Sequence, residues 1–150
     1  QAESCIFALS AHRRVSIWDT SSWSCLQKYP ADLITCGTDL SAMEPIQIQS
    51  TAVSLLFLAG IDGSLCIRRV NRKPKGKISC VLICYMEHPG AVPGCPITTI
   101  TYHSETDAVL MGDAGCNLSL LSPLKDRLGS ATDPVMLPPP VTAGDQQASS

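Results

Sequence analysis

Apolar and polar residues alternate with a period of two over most of positions 5 to 122, in short runs broken by turn residues. That pattern predicts β-strands joined by hairpins. Cys5-Ile6-Phe7-Ala8-Leu9 and Val15-Ser16-Ile17-Trp18 read as a hairpin with a turn at His12-Arg13-Arg14. A polar Thr20-Ser21-Ser22 turn follows, and Trp23 to Tyr29 predicts a third strand that Pro30 stops. Beyond it, Leu33-Ile34-Thr35-Cys36 fits a short strand and Gly37 to Pro45 reads as a loop.

A second unit opens on Ile46-Gln47-Ile48 and continues through the strongly apolar Val53 to Ala59. Asp62-Gly63 predicts a two-residue hairpin turn with positive φ at its central positions. Ser64 to Val70 predicts the next strand, a basic loop intervenes, and the composition of Ile78 to Tyr85 is that of a buried strand. A connector from His88 to Pro96 leads to a third unit: Ile97, Ile100 and Tyr102, a turn from His103 to Asp107, Ala108 to Met111, a turn from Gly112 to Gly115, and Asn117 to Leu121. From Ser130 on, the Pro138-Pro139-Pro140 run and the polar end have no periodic apolar face. Burial there cannot offset the entropy of ordering, so 130–150 is expected to be a flexible Pro/Ser-rich tail behind a β-rich domain over 1–129.

If Trp18, Arg68 and Leu121 share one strand position, the units recur at intervals of 50 and 53 residues. The stretches Val15-Ser16-Ile17-Trp18-Asp19, Gly60-Ile61-Asp62-Gly63-Ser64-Leu65-Cys66-Ile67, and Ile97 to Tyr102 with Gly112-Asp113-Ala114-Gly115 resemble the WD-repeat β-propeller family over roughly positions 5 to 122. The first unit keeps Trp-Asp, where the second has Arg68-Arg69 and the third Leu121-Ser122. A kelch blade is nearer in length, but its paired glycines and aromatic pattern do not occur.

The resemblance implies an all-β chain, a partial WD-type β-propeller of antiparallel four-stranded blades, about three in number with the first incomplete. It also implies the carboxy-terminal part of a larger propeller protein acting as a noncatalytic protein-interaction scaffold, with rim loops contacting peptides or proteins. His88 sits where the family's Gly-His pair would precede a blade.

Composition adds a core and a charge asymmetry. The 45% hydrophobic content suffices for packing, and with 5% aromatics the core falls to Val, Ile, Leu, Ala and Cys. The net charge of −2 conceals a segment with six of the eleven basic residues and no acid: Arg68, Arg69, Arg72, Lys73, Lys75 and Lys77. The remainder carries five bases against thirteen acids. With Arg13, Arg14 and His88, these positions are the candidate partner-binding residues. A solvated inter-strand loop is the plainer role for such a run, and contact with nucleic acid or the nuclear-import machinery the alternative. No aromatic is interleaved among the six charges, so base stacking has no support.

The eight cysteines are scattered, with no Cys-x-x-Cys pair, and most sit in apolar strands. They read as core thiols of a reducing compartment, so an intracellular, cytoplasmic or nuclear protein is expected. No signal-peptide pattern opens the chain, and no apolar run approaches the ~20 residues of a membrane span. Asn117-Leu118-Ser119 fits a glycosylation sequon by coincidence within a predicted strand.

An enzyme would have to combine His12, His88 or His103 with a cysteine nucleophile, and no local catalytic signature occurs. Cys80, Cys84 and His88 have metal-like spacing, but a regular strand would align all three on one face instead of around a tetrahedron. Neither catalysis nor a cofactor nor a metal is expected.

Overall fold

The computed structural model describes residues 5–10, 14–29, 38–48, 53–72, 77–87, 89, 92–124 and 128. Ten strands run through them: β1 (Cys5–Leu9), β2 (Val15–Asp19), β3 (Cys25–Tyr29), β4 (Leu40–Ile48), β5 (Val53–Gly60), β6 (Leu65–Arg72), β7 (Ile78–Met86), β8 (Ile97–His103), β9 (Ala108–Asp113) and β10 (Leu118–Leu121). All pairings are antiparallel, and consecutive strands are neighbours in three sheets, β1-β2-β3, β4-β5-β6-β7 and β8-β9-β10. The expected all-β architecture is present. Four strands occur only in the central sheet among the described residues, and the sheets do not close on one another. Leu33 to Cys36 and the 130–150 tail lie outside the described residues.

The three sheets are register copies. Each has the same hairpin closure, Ser10 N to Arg14 O, Gly60 N to Ser64 O, and Asp113 N to Asn117 O. Counting from these closures makes Phe7, Phe57 and Leu110 equivalent, and likewise Val15, Leu65 and Leu118. Trp18, Arg68 and Leu121 fall at one position, as the 50- and 53-residue spacing predicts.

Irregularities recur too. β3 and β7 each carry one extra residue, Leu26 and Ile83, opposite Ile17/Trp18 of β2 and Ile67/Arg68 of β6. β4 and β8 have bulges at Leu40/Ala42 and Ile97/Thr99, where Ser41 Oγ and Thr98 Oγ1 donate to the equivalent carbonyls of Ala59 (3.3 Å) and Gly112 (3.2 Å). A hydroxyl in each bulge thus satisfies a carbonyl that the irregular ladder leaves available.

The central sheet is buried on both faces. One face, with Phe57, Leu65 and Ile67, packs on Ile97, Ile100, Val109 and Met111 of the third sheet. The other, with Leu56, Leu58 and Cys66, packs on Phe7, Leu9 and Val15 of the first. Double burial explains why Leu55 to Ala59 is a continuous apolar run instead of an alternating one. Of the eleven largest fully buried side chains, six belong to β5 and β6, so this hairpin is the centre of the fold. Each such side chain contributes roughly 1.5–3 kcal/mol of hydrophobic stabilisation. The single Ser41 hydroxyl proton is shared between Ala59 O and the nearer Ile97 O at 2.6 Å, tying β4 to β8 where the second and third sheets meet.

Several sequence expectations are corrected. Leu40 to Pro45 is strand, not loop: Pro45 lies in β4 at a sheet edge, where its missing N–H is tolerated. The Asp62-Gly63 turn is a three-residue loop, Ile61 to Gly63, with Gly63 N on Gly60 O. Only Gly63 has positive φ (83°), the signature of a type I turn followed by a glycine bulge. β7 is an edge strand, so Val81 is exposed although the composition suggested burial. Cys66 is a core thiol, but Cys116 is exposed in a turn.

Candidate functional site

Three described basic residues, Arg14, Lys28 and Lys77, lie at one end of the seam between the first two sheets. Tyr29, the last residue of β3, donates its hydroxyl hydrogen bond to Ile78 O, the first residue of β7, at 2.6 Å. The partners are 49 residues apart in sequence. Tyr29 pairs with Val15, and Ile78 with Arg72, so this bond brings the start of β2 toward the start of β7 and the end of β6. Exposed Arg14 and Lys28 flank the bond on one side, and Arg72 and exposed Lys77 on the other. Arg13, Lys73, Lys75 and His88 lie outside the described residues.

One basic side chain supports the seam from within the sheet. Arg68, on the face turned to the first sheet, donates from Nη1 to Cys80 O at 3.1 Å. Arg69 occupies the opposite face, paired with Leu55 and Val81. With the carbonyls of Ile78 and Cys80 taken by side chains, the start of this edge strand is partly shielded against another strand. Burial, followed by the neighbouring Cys80 thiol, pushes Tyr29 up to about 12. Burial also pushes up Cys80, outweighing Tyr29 and Arg68, and pushes up Cys84. Both thiols therefore stay protonated at neutral pH, unlike an activated nucleophile.

The opposite end of the central sheet is acidic. β7 carries the chain about 26 Å from Ile78 to Met86, and Glu87 follows there beside the end that holds Asp39 and Asp62. The adjacent Asp113 carboxylate accepts hydrogen bonds from Gly115 N, Asn117 N and Asn117 Nδ2. The Asn117 backbone N–H is the leading cause that holds its carboxyl below the ordinary range. Asp19 of the Trp-Asp pair acts locally, accepting from Ser21 N and from the Ser21 and Ser22 hydroxyls to organise the β2–β3 turn. Trp18 Nε1 donates to Ser16 Oγ, fixing the indole on the outer face of the first sheet.

The metal-like spacing of Cys80 and Cys84 does not put them on one face. The bulge opposite Ile67/Arg68 inserts a residue into β7, so Cys80 packs toward the first sheet and Cys84 toward the third. Among the described residues, no group of three His, Cys, Asp or Glu side chains is arranged to hold a metal. None of their helices is long and apolar enough to cross a membrane.

Sequence reasoning identified the loop and the Arg13-Arg14 turn as separate candidates and missed Lys28 and Tyr29. No linear signal marks Tyr29, because its partner is remote. Compared with known proteins, the chain matches no family model and no curated sequence.

Proposed function

We propose that the protein is a noncatalytic protein-interaction scaffold, a portion of a WD-type β-propeller in a larger chain, whose basic end receives an acidic segment of a protein partner. The Tyr29–Ile78 bond carries this reading, because it joins two basic segments distant in sequence at one seam. The sheets fix the backbone at Arg14, Lys28 and Lys77, which lowers the ordering entropy that opposes docking. The aromatic side chain most exposed to solvent, Trp23 (69%), lies in the β2–β3 turn at the other end of β2 from Arg14. The ring at the basic end, Tyr29, is packed into the seam with Val15 and Leu9 and held there by its hydroxyl bond, so it is not presented for base stacking, which favours an acidic peptide over nucleic acid.

The test is fluorescence anisotropy with a labelled oligo-glutamate peptide, run beside a single-stranded oligonucleotide at several salt concentrations. Neutralising Arg72, Lys73, Lys75 and Lys77 to Gln should weaken peptide binding about tenfold, from four charges at a few tenths of a kcal/mol each. Arg14→Gln with Lys28→Gln should cost about threefold. Unchanged peptide affinity in both variants refutes the reading, and tighter binding of the oligonucleotide transfers the site to nucleic acid.

A further inference from the structure

The register copies define two kinds of sheet face, and each interface inside the molecule joins one kind to the other. The Phe57/Leu65/Ile67 type of the central sheet covers the Val109/Met111 type of the third. The equivalent Phe7/Val15 face of the first sheet covers the Leu56/Leu58/Cys66 face of the central one. Among the described residues two faces are left over, and they are the complementary halves of this same interface.

The third sheet presents Leu110, Leu118 and Leu120, equivalent to Phe57, Leu65 and Ile67, at 44%, 72% and 65% exposure. These leucines occupy the positions that are 0% exposed in the central sheet. The first sheet presents Ile6, Ala8 and Trp18, equivalent to Leu56, Leu58 and Arg68, with Ile6 43% exposed. A contiguous apolar face of this kind marks an interaction surface.

We propose that, where no further blade of a longer chain covers these two faces, the leucine face of one copy docks head to tail on the Ile6/Ala8/Trp18 face of a second copy, continuing the stacking already present twice within the chain. The contact is heterologous, since the two faces differ. It is independent of the basic end, because neither face includes the residues at the Tyr29–Ile78 bond.

The full chain is examined by size-exclusion chromatography with light scattering. The parent should have at least twice the 16.0 kDa chain mass. Leu118→Glu with Leu120→Glu removes one face, and Ile6→Glu with Ala8→Glu the other. Each variant alone should be a monomer, and their equimolar mixture should form a heterodimer, because each retains the face that the other lacks. All but Ala8 are exposed, and circular dichroism confirms that the strand content is retained; Ile6→Glu alone serves if the double variant unfolds. The proposal is overturned by a monomeric parent, by a mixture that stays monomeric, or by self-association of the Ile6/Ala8 variant, which would mean that the leucine face pairs with itself.

Discussion

Tyr29→Phe isolates the one hydrogen bond on which the assembled basic end depends. The substitution removes the hydroxyl that donates to Ile78 O at 2.6 Å and leaves the ring in the seam beside Val15 and Leu9. A neutral bond of this kind contributes about 1 kcal/mol net, and the abandoned carbonyl lies at a sheet edge where water can replace the phenol. For a chain of this size the expected loss is therefore about 3 °C in melting temperature. The pH dependence supplies a second, sharper reading. In the unfolded chain the phenol titrates near the ordinary tyrosine value of about 10, and in the folded chain it is pushed up to about 12. Between those values the unfolded state has released the proton that the folded state still holds, so stability falls as pH rises. Two units would correspond to about 2.7 kcal/mol if the site were fully shielded, and solvent screening of a half-buried ring reduces this to roughly 1 kcal/mol. Urea unfolding of parent and variant at pH 8 and at closely spaced values from pH 9.5 to 12 measures both effects. The difference between the two proteins should be constant below pH 10 and disappear as pH approaches 12. Equal stability at pH 8, or a difference that does not change through the alkaline range, would refute the role assigned to this bond.

Further outcomes follow from the turns. Cys116 occupies the left-handed region at φ 64°, the position that Gly63 fills in the equivalent hairpin, so Cys116→Gly should stabilise the protein by about 0.5–1 kcal/mol, read as a higher urea midpoint with unchanged slope. Gly63→Ala should do the reverse, since its φ is 83° and a Cβ would stand 2.8 Å from Cys95 O. Asp113→Ala should lower the melting temperature at neutral pH by freeing the N–H groups of Gly115 and Asn117. Because the folded carboxyl is held below its ordinary value, that contribution is present above about pH 4 and lost as pH falls through the folded value, so the gap between parent and variant should close in acid. A gap that persists in acid would show that the carboxylate charge is not what organises the turn.

Much of this protein is determined locally. The alternation in Val15 to Trp18 and the apolar run of β5 specify strands because side chains on a strand point to opposite faces, and a period of two survives any arrangement of the sheets. The spacing of Trp18, Arg68 and Leu121 likewise revealed the repeat, since equivalent hairpins need equivalent lengths. Other features depended on pairing. Pro45 lies in a strand because β4 is an edge, and Val81 is exposed because β7 is one, while edge status is a property of the assembled sheet. Cys80 and Cys84 point to different faces because a bulge shifts the register between them. The charge asymmetry was visible in the linear order of residues 68 to 77, but the approach of Lys77 and Ile78 to Arg14 and Lys28 was not. It rests on a bond across 49 residues, and the choice of remote partners is made by the stacking of sheets, a matter of which apolar faces can cover one another.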